Sequence, residues 1–179
     1  SSLRDEASVQ LDLDALMDAD LVYRQRKVGG DAYIFRHALI RDAAYHGMLM
    51  GSRKLHHLRI ADTLKMDFPE MVEENPFELA RHLAGGEEYA EGSRYGIKAV
   101  EKQIRSNAHS EAEGLGDQVG KWIADIPEKE SELTTSLLLN DIRIASKMAI
   151  YGYGDESVNT LNSFSRDVLR ELDSIEGFE

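Results

Sequence analysis

The sequence predicts a mainly α-helical chain with one β-hairpin: a winged-helix-like module over residues 1–70, then an α-solenoid-like stack of helices over residues 71–179. Three observations carry this. Apolar residues recur at helical spacing through most of the chain. The stretch YRQRKVGGDAYIFR departs from that spacing, with aromatic and β-branched residues on either side of a Gly-Gly pair. Beyond residue 70, helices of similar length are separated by short turns, the mark of antiparallel helix hairpins stacked in sequence. The periods are too imperfect to define a repeat from sequence alone.

LDLDALMDADLV (Leu11 to Val22) reads as a short amphipathic helix, with Leu13, Leu16 and Met17 on its apolar side and Asp12, Asp14 and Asp18 outside. Two strands follow about a Val28-Gly29-Gly30-Asp31 turn, where glycine supplies the positive φ of a tight hairpin. Tyr33-Ile34-Phe35 then runs directly into a helix starting near His37, with Ala38, Leu39, Ala43, Ala44 and Leu49 at helical spacing and Gly47 and Gly51 closing it. A further helix runs from about Ser52 to Phe68, with Leu55, Leu58, Ala61 and Leu64 as its buried stripe and Pro69 ending it.

ENPFELARHLAGG is the best-punctuated helix, with Asn75 as N-cap, Pro76 in the first helical position, Glu78 at capping-box spacing and Gly85-Gly86 at the end. Four more helices are predicted, over about 87–107, 110–125, 128–151 and 155–176. Pro127 divides the second of these from the third, and YGYGD divides the third from the fourth, with Asp155 as N-cap. Val158, Leu161, Phe164, Val168, Leu172 and Ile175 form the apolar face of the last helix.

Charge divides the chain unevenly. Residues 1–60 hold nine Lys/Arg against eight Asp/Glu, or +1; residues 61–179 hold twelve against twenty-five, or −13. From Arg24 to Arg59 eight basic residues face only Asp31 and Asp42. A local basic surface is thus followed by a half that should repel nucleic acid and anionic membranes. The chain has no cysteine, which fits a reducing, cytoplasmic setting. No apolar run reaches the roughly 18 residues of a membrane span, so no membrane partner is expected. SSLRDEASVQ reads as the tail of a preceding segment.

No phosphate-binding, dinucleotide, zinc-protease or nucleophile-elbow motif occurs, and the chain reads as non-catalytic. Glu73-Glu74 and Glu87-Glu88 border helices and read as solvated caps. Asp42 and His46 share a helix face at i, i+4, with His56-His57 nearby. Adjacent histidines point about 100° apart, however, and no second chelating pair completes a ligand set, so no metal site is expected. A small helical enzyme built on Asp42 and His46 is the weakest of the alternatives.

The basic cluster admits a solvated face, a DNA surface, or contact with a protein or nucleotide held by a neighbouring domain. The helix preceding the hairpin carries Asp12, Asp14 and Asp18, and carboxylates there oppose binding to a phosphate backbone. Nucleic acid is therefore not the expected partner. Arg24, Arg26 and Arg36 are the candidates for contact with a partner. Arg36-His37, a cation beside an imidazole, sits where the helix dipole favours negative charge. Either the helix tolerates the pair, or an anion arrives there.

FRHALIRDAAYHGML…RKLHHLRIADTL resembles the region that follows the nucleotide-binding module in signal-transduction ATPases with numerous domains (STAND), as found in bacterial regulators and adenylate cyclase-linked predicted ATPases. Phe35 to Ile40 match an F-R-H-A-L-I-type segment, and Arg53, His56, Ile60 and Ala61 match an R-x-x-L-H-x-x-I-A-type helix. PFELARHLAGG resembles the first helix of the tetratricopeptide-like stack that often follows. A narrower resemblance is to bacterial kinase/cyclase fusion regulators. The likeness is specific between about Leu16 and Gly86.

The resemblance implies that His37 touches the phosphates of ADP bound to the parent ATPase module and helps hold the off state. A helix N-terminus supplies free N–H donors to which an imidazole adds another. The alternative is that His37 caps its own helix at a domain seam. ATP and ADP are implied for the parent protein, and no cofactor for this chain itself. The implied partners are the neighbouring ATPase domain and a protein or peptide on the helical stack. The chain thus reads as a regulatory, protein-interaction fragment relaying nucleotide state, with the DNA-binding portion of a transcription regulator as the alternative.

Overall fold

The computed structural model describes residues 6–27 and 30–176. The described residues are mainly helical, with one two-stranded antiparallel sheet among them. It divides into two compact units, residues 1–52 and 53–179.

In the first unit, α1 (Glu6–Asp18) is followed by β1 (Val22–Lys27), β2 (Gly30–Phe35) and α2 (Ala38–Gly47). The predicted helix over Leu11 to Val22 begins earlier and stops sooner. Asp20 adopts φ 60°, and the amides of Asp20 and Leu21 close back on the carbonyls of Met17 and Leu16 at 3.0 Å. That turn releases Val22 into a strand, where it is buried. The strands pair from Val22 with Phe35 to Lys27 with Gly30. Residues 28–29 of the predicted turn lie outside the described residues, as do residues 1–5 and 177–179. α1 packs on β1, and α2 on β2.

The division between the units falls in the first turn of α3 (Met50–Asp67). Five helices after it, α5 (Pro76–Gly85), α6 (Tyr89–Arg105), α7 (His109–Ala124), α8 (Lys129–Tyr151) and α9 (Glu156–Glu176), each pack on the next, and α6 also packs on α8. The larger core joins Ile97 and Val100 of α6, Ala112, Val119 and Ile123 of α7, and Leu139 of α8. A smaller one joins Ala61 of α3 to Leu79 and Leu83 of α5. The reading that ran the first module to residue 70 thus included a helix whose core side chain lies against α5.

Pro69 does not simply end α3. It opens a six-residue helix, α4 (Pro69–Glu74), because a proline without an N–H is tolerated in a first turn. Lys102 donates from Nζ to the carbonyls of Glu73 and Glu74, at 3.1 and 2.6 Å, at the far end of α4. Asn75 precedes α5 as predicted but makes no side-chain capping bond, and Glu78 pairs instead with Arg81 at 2.6 Å.

The Gly85-Gly86 pair closes α5 for a different reason from the one expected. The left-handed residue is Glu87, at φ 65°, whereas Gly86 sits at φ −89°. The glycines make room for α3: a Cβ at Gly85 would lie 2.8 Å from the His57 ring, and one at Gly86 would collide with Leu58. Asp155 does cap α9, accepting from the Ser157 amide at 2.9 Å and from the Ser157 hydroxyl. Both bonds hold its carboxyl below the usual carboxylate range. Val158 and Val168 of α9 are buried, while Phe164 and Ile175 of the predicted apolar face stand exposed.

Candidate functional site

The hairpin and the corner behind it hold the residues singled out by sequence. Strand alternation puts Val22, Arg24 and Arg26 on one face with Phe35, Tyr33 and Asp31, their register partners. The Tyr33 hydroxyl donates to Gln10 Oε1 of α1 at 3.5 Å, so this face looks toward α1. Arg24 pairs diagonally with Asp31, which raises its pKa, and feels the more distant charge of Asp14 on α1. The acidic side of the first helix thus lies near a hairpin arginine.

Arg36 turns back to Asp20, with Nε 2.6 Å from the carboxylate, and its guanidinium lies 5.9 Å from the centroid of the Tyr23 ring. Its amide donates to the Leu21 carbonyl at 3.0 Å, which ties the end of β2 to the turn between α1 and β1. Two of the three candidate arginines therefore have intramolecular acidic partners. Arg26 is exposed.

His37 occupies the N-cap position of α2 with extended backbone, at φ −130° and ψ 130°. Its carbonyl accepts from Ile40 and Arg41, yet its side chain makes no capping bond to the helix. The ring is exposed, beside the first-turn amides that a helix leaves without intrahelical acceptors. Chemically the corner can offer N–H donors and one imidazole to an anion, with the nearby arginine charge largely answered by Asp20.

Asp42, considered with His46 for a metal, is instead held by Arg41 at 2.8 Å. The His46 ring stacks edge-on to Tyr45 with centroids 5.5 Å apart. Among the described residues no three His, Asp or Glu side chains converge as metal ligands. No described helix is long and apolar enough to cross a membrane.

Sequence reasoning missed two features of the second unit. His57 of α3 and His82 of α5 bring their Nδ1 atoms to 3.0 Å. An open cleft of about 510 Å³ lies beside α6 and α8, where Arg94 faces Glu128, Glu130 and Thr134. Neither leaves a local trace, since each joins residues far apart in the chain. Comparison with known proteins gives no match to any family model, curated protein or solved structure.

Proposed function

We propose that the chain is a non-catalytic regulatory module: a winged-helix-like unit that relays the nucleotide state of an adjoining ATPase domain, followed by a tetratricopeptide-like stack that binds a protein or peptide. The observation that carries this reading is the consecutive packing of α5 to α9, with α6 also on α8. Helices added one on the next expose long faces to a partner rather than enclosing a reaction chamber. The open cleft between Arg94 and Thr134 suits an extended ligand. The exposed imidazole of His37, uncommitted to its own helix, supports a role toward a phosphate. Duplex DNA is the less favoured ligand, because Asp31 and Asp20 already neutralise Arg24 and Arg36.

The test uses the longer protein containing this chain and a nucleotide-binding module. A hydrogen bond to a charged group is worth roughly 1.5–3 kcal/mol, so His37→Ala should weaken ADP binding by about 10- to 150-fold. Basal output should rise, because a contact made in the off state biases the switch toward it. The melting of the chain by itself should barely change. Unchanged ADP affinity in a folded variant, or a parent gene encoding no P-loop module, would refute the reading.

A further inference from the structure

His57 and His82 meet across the seam between α3 and α5, Nδ1 to Nδ1, at 3.0 Å. A hydrogen bond between two ring nitrogens holds one proton: one nitrogen donates and the other accepts. Glu78 Oε1 lies 3.4 Å from Nε2 of His82, and a carboxylate oxygen only accepts. A neutral His82 therefore carries its proton on Nε2, which leaves its Nδ1 to accept from His57. We infer that this contact is a one-proton latch between α3 and α5, shut while Nδ1 of His82 is bare and opened when both imidazoles are charged.

The latch tolerates a first proton but not a second. Protonating His57 on Nε2 leaves its Nδ1–H donating as before. Protonating His82 as well puts two N–H groups nose to nose and two cations within one hydrogen-bond length. The His57 ring has little room to retreat toward α5, because it lies against the bare Cα of Gly85, where a Cβ would come within 2.8 Å of three ring atoms.

The surroundings add to the penalty. Arg53 and His56 act on His57 from its own helix α3, and Arg81 of α5 acts on both rings. Glu78, also on α5, favours a charged His82 but shares the same Oε1 with Arg81 at 2.6 Å. Lys54 of α3 is paired with Glu87, just beyond α5, at 2.6 Å. Burial above all, then the charge of His82, then Arg81, Arg53 and His56 hold His57 below the usual histidine range; burial outweighs Glu78 and does the same to His82.

Both folded values lie below the ordinary 6.5, so the unfolded chain binds more protons as the pH falls past it. The seam keeps its full stability above about 6.5 and loses it as the pH drops through the folded values. Leu58, Ala61 and Leu64 continue the seam toward the end of α3, so opening should be felt first in the turns around His57.

The test is a side-chain nitrogen NMR titration of the full chain from about pH 8 to about pH 5, with chelator present, alongside amide exchange of residues 53–60. At neutral pH the His82 ring should show the Nε2–H form. The two rings should titrate in separate, coupled steps, the second clearly below 6.5. Near pH 5.5 the amides should exchange about tenfold faster, after correction for intrinsic rates, than in His57→Gln. The glutamine amide can still donate to His82 but takes up no proton, so that variant should keep its protection. Gly85→Ala should speed exchange already at neutral pH, by crowding the His57 ring. Two rings titrating independently at one midpoint near 6.5, or the same acid-induced loss in His57→Gln, would overturn the latch. If the variant does not fold, the wild-type ring titration decides alone.

Discussion

The two units hold their secondary structure by different means. Among the described residues of the first, Val22 is the one fully buried apolar side chain, and α2 buries nothing. Its elements are fixed locally, by the left-handed turn at Asp20, the strand register and the Arg24–Asp31 and Arg36–Asp20 pairs. Exposed ion pairs such as these contribute little, because solvent screens them and ordering two long side chains costs entropy. The second unit has two apolar clusters that link α3 and α5 to α8. A segment can therefore have a definite shape without the means to keep it. The apolar face that α2 leaves bare, with Leu39 at 82% exposure, shows where that shortfall lies.

Separating the units gives the largest expected effect. Residues 53–179 produced alone should melt cooperatively with strong helical circular dichroism. Residues 1–52 alone should give the spectrum of a largely unfolded chain, since a lone hairpin and short helices are marginal in water. Cooperative melting of the short piece would break the comparison. Single side chains sharpen it next. Leu79→Ala, at a position with 0% exposure, should cost about 2–5 kcal/mol in urea unfolding, whereas Leu39→Ala should stay within about 0.5 kcal/mol. Similar losses at both sites would mean that α2 is covered in solution.

The smallest effect concerns glycines inside the second unit. A Cβ at Gly96 of α6 would lie 2.5 Å from Val119 Cγ2, while one at Gly120 of α7 would meet nothing within 4 Å. Gly96→Ala should lose about 1–2 kcal/mol, since crowding outweighs the gain in helix propensity. Gly120→Ala should gain roughly 0.5–1 kcal/mol from propensity alone. Denaturant midpoints measured side by side settle both, and a stabilised Gly96→Ala would show that α6 and α7 have slack.

What the sequence made legible follows from how local each cause is. The hairpin and α5 to α9 were readable because Gly, Pro and Asp mark their ends within a few residues. The end of α1 was misplaced because Asp20 takes a left-handed conformation that aspartate adopts only occasionally. Pro69 read as a stop when it is a start, because proline suits both the residue after one helix and the first turn of the next. At the proposed nucleotide corner, the junction at His37 was visible, while the pairing of Arg36 with Asp20 required the fold of α1 against β1. His57 and His82, twenty-five residues apart, had to wait for the register of α3 on α5. The nearest sequence clue was Gly85, three residues after His82, which reads as helix punctuation until the ring opposite it is seen.

The helix α4 stores chain length. Its six residues connect α3 to α5 and span about 9 Å along the helix axis, but the same six residues extended would reach about 20 Å. A helix this short has little cohesion of its own, and the ammonium of Lys102, gripping two carbonyls at its last turn, acts as a clasp. The connector is thus a coiled reserve of roughly 11 Å of chain, enough for α3 to lift away from α5 while the covalent link stays slack.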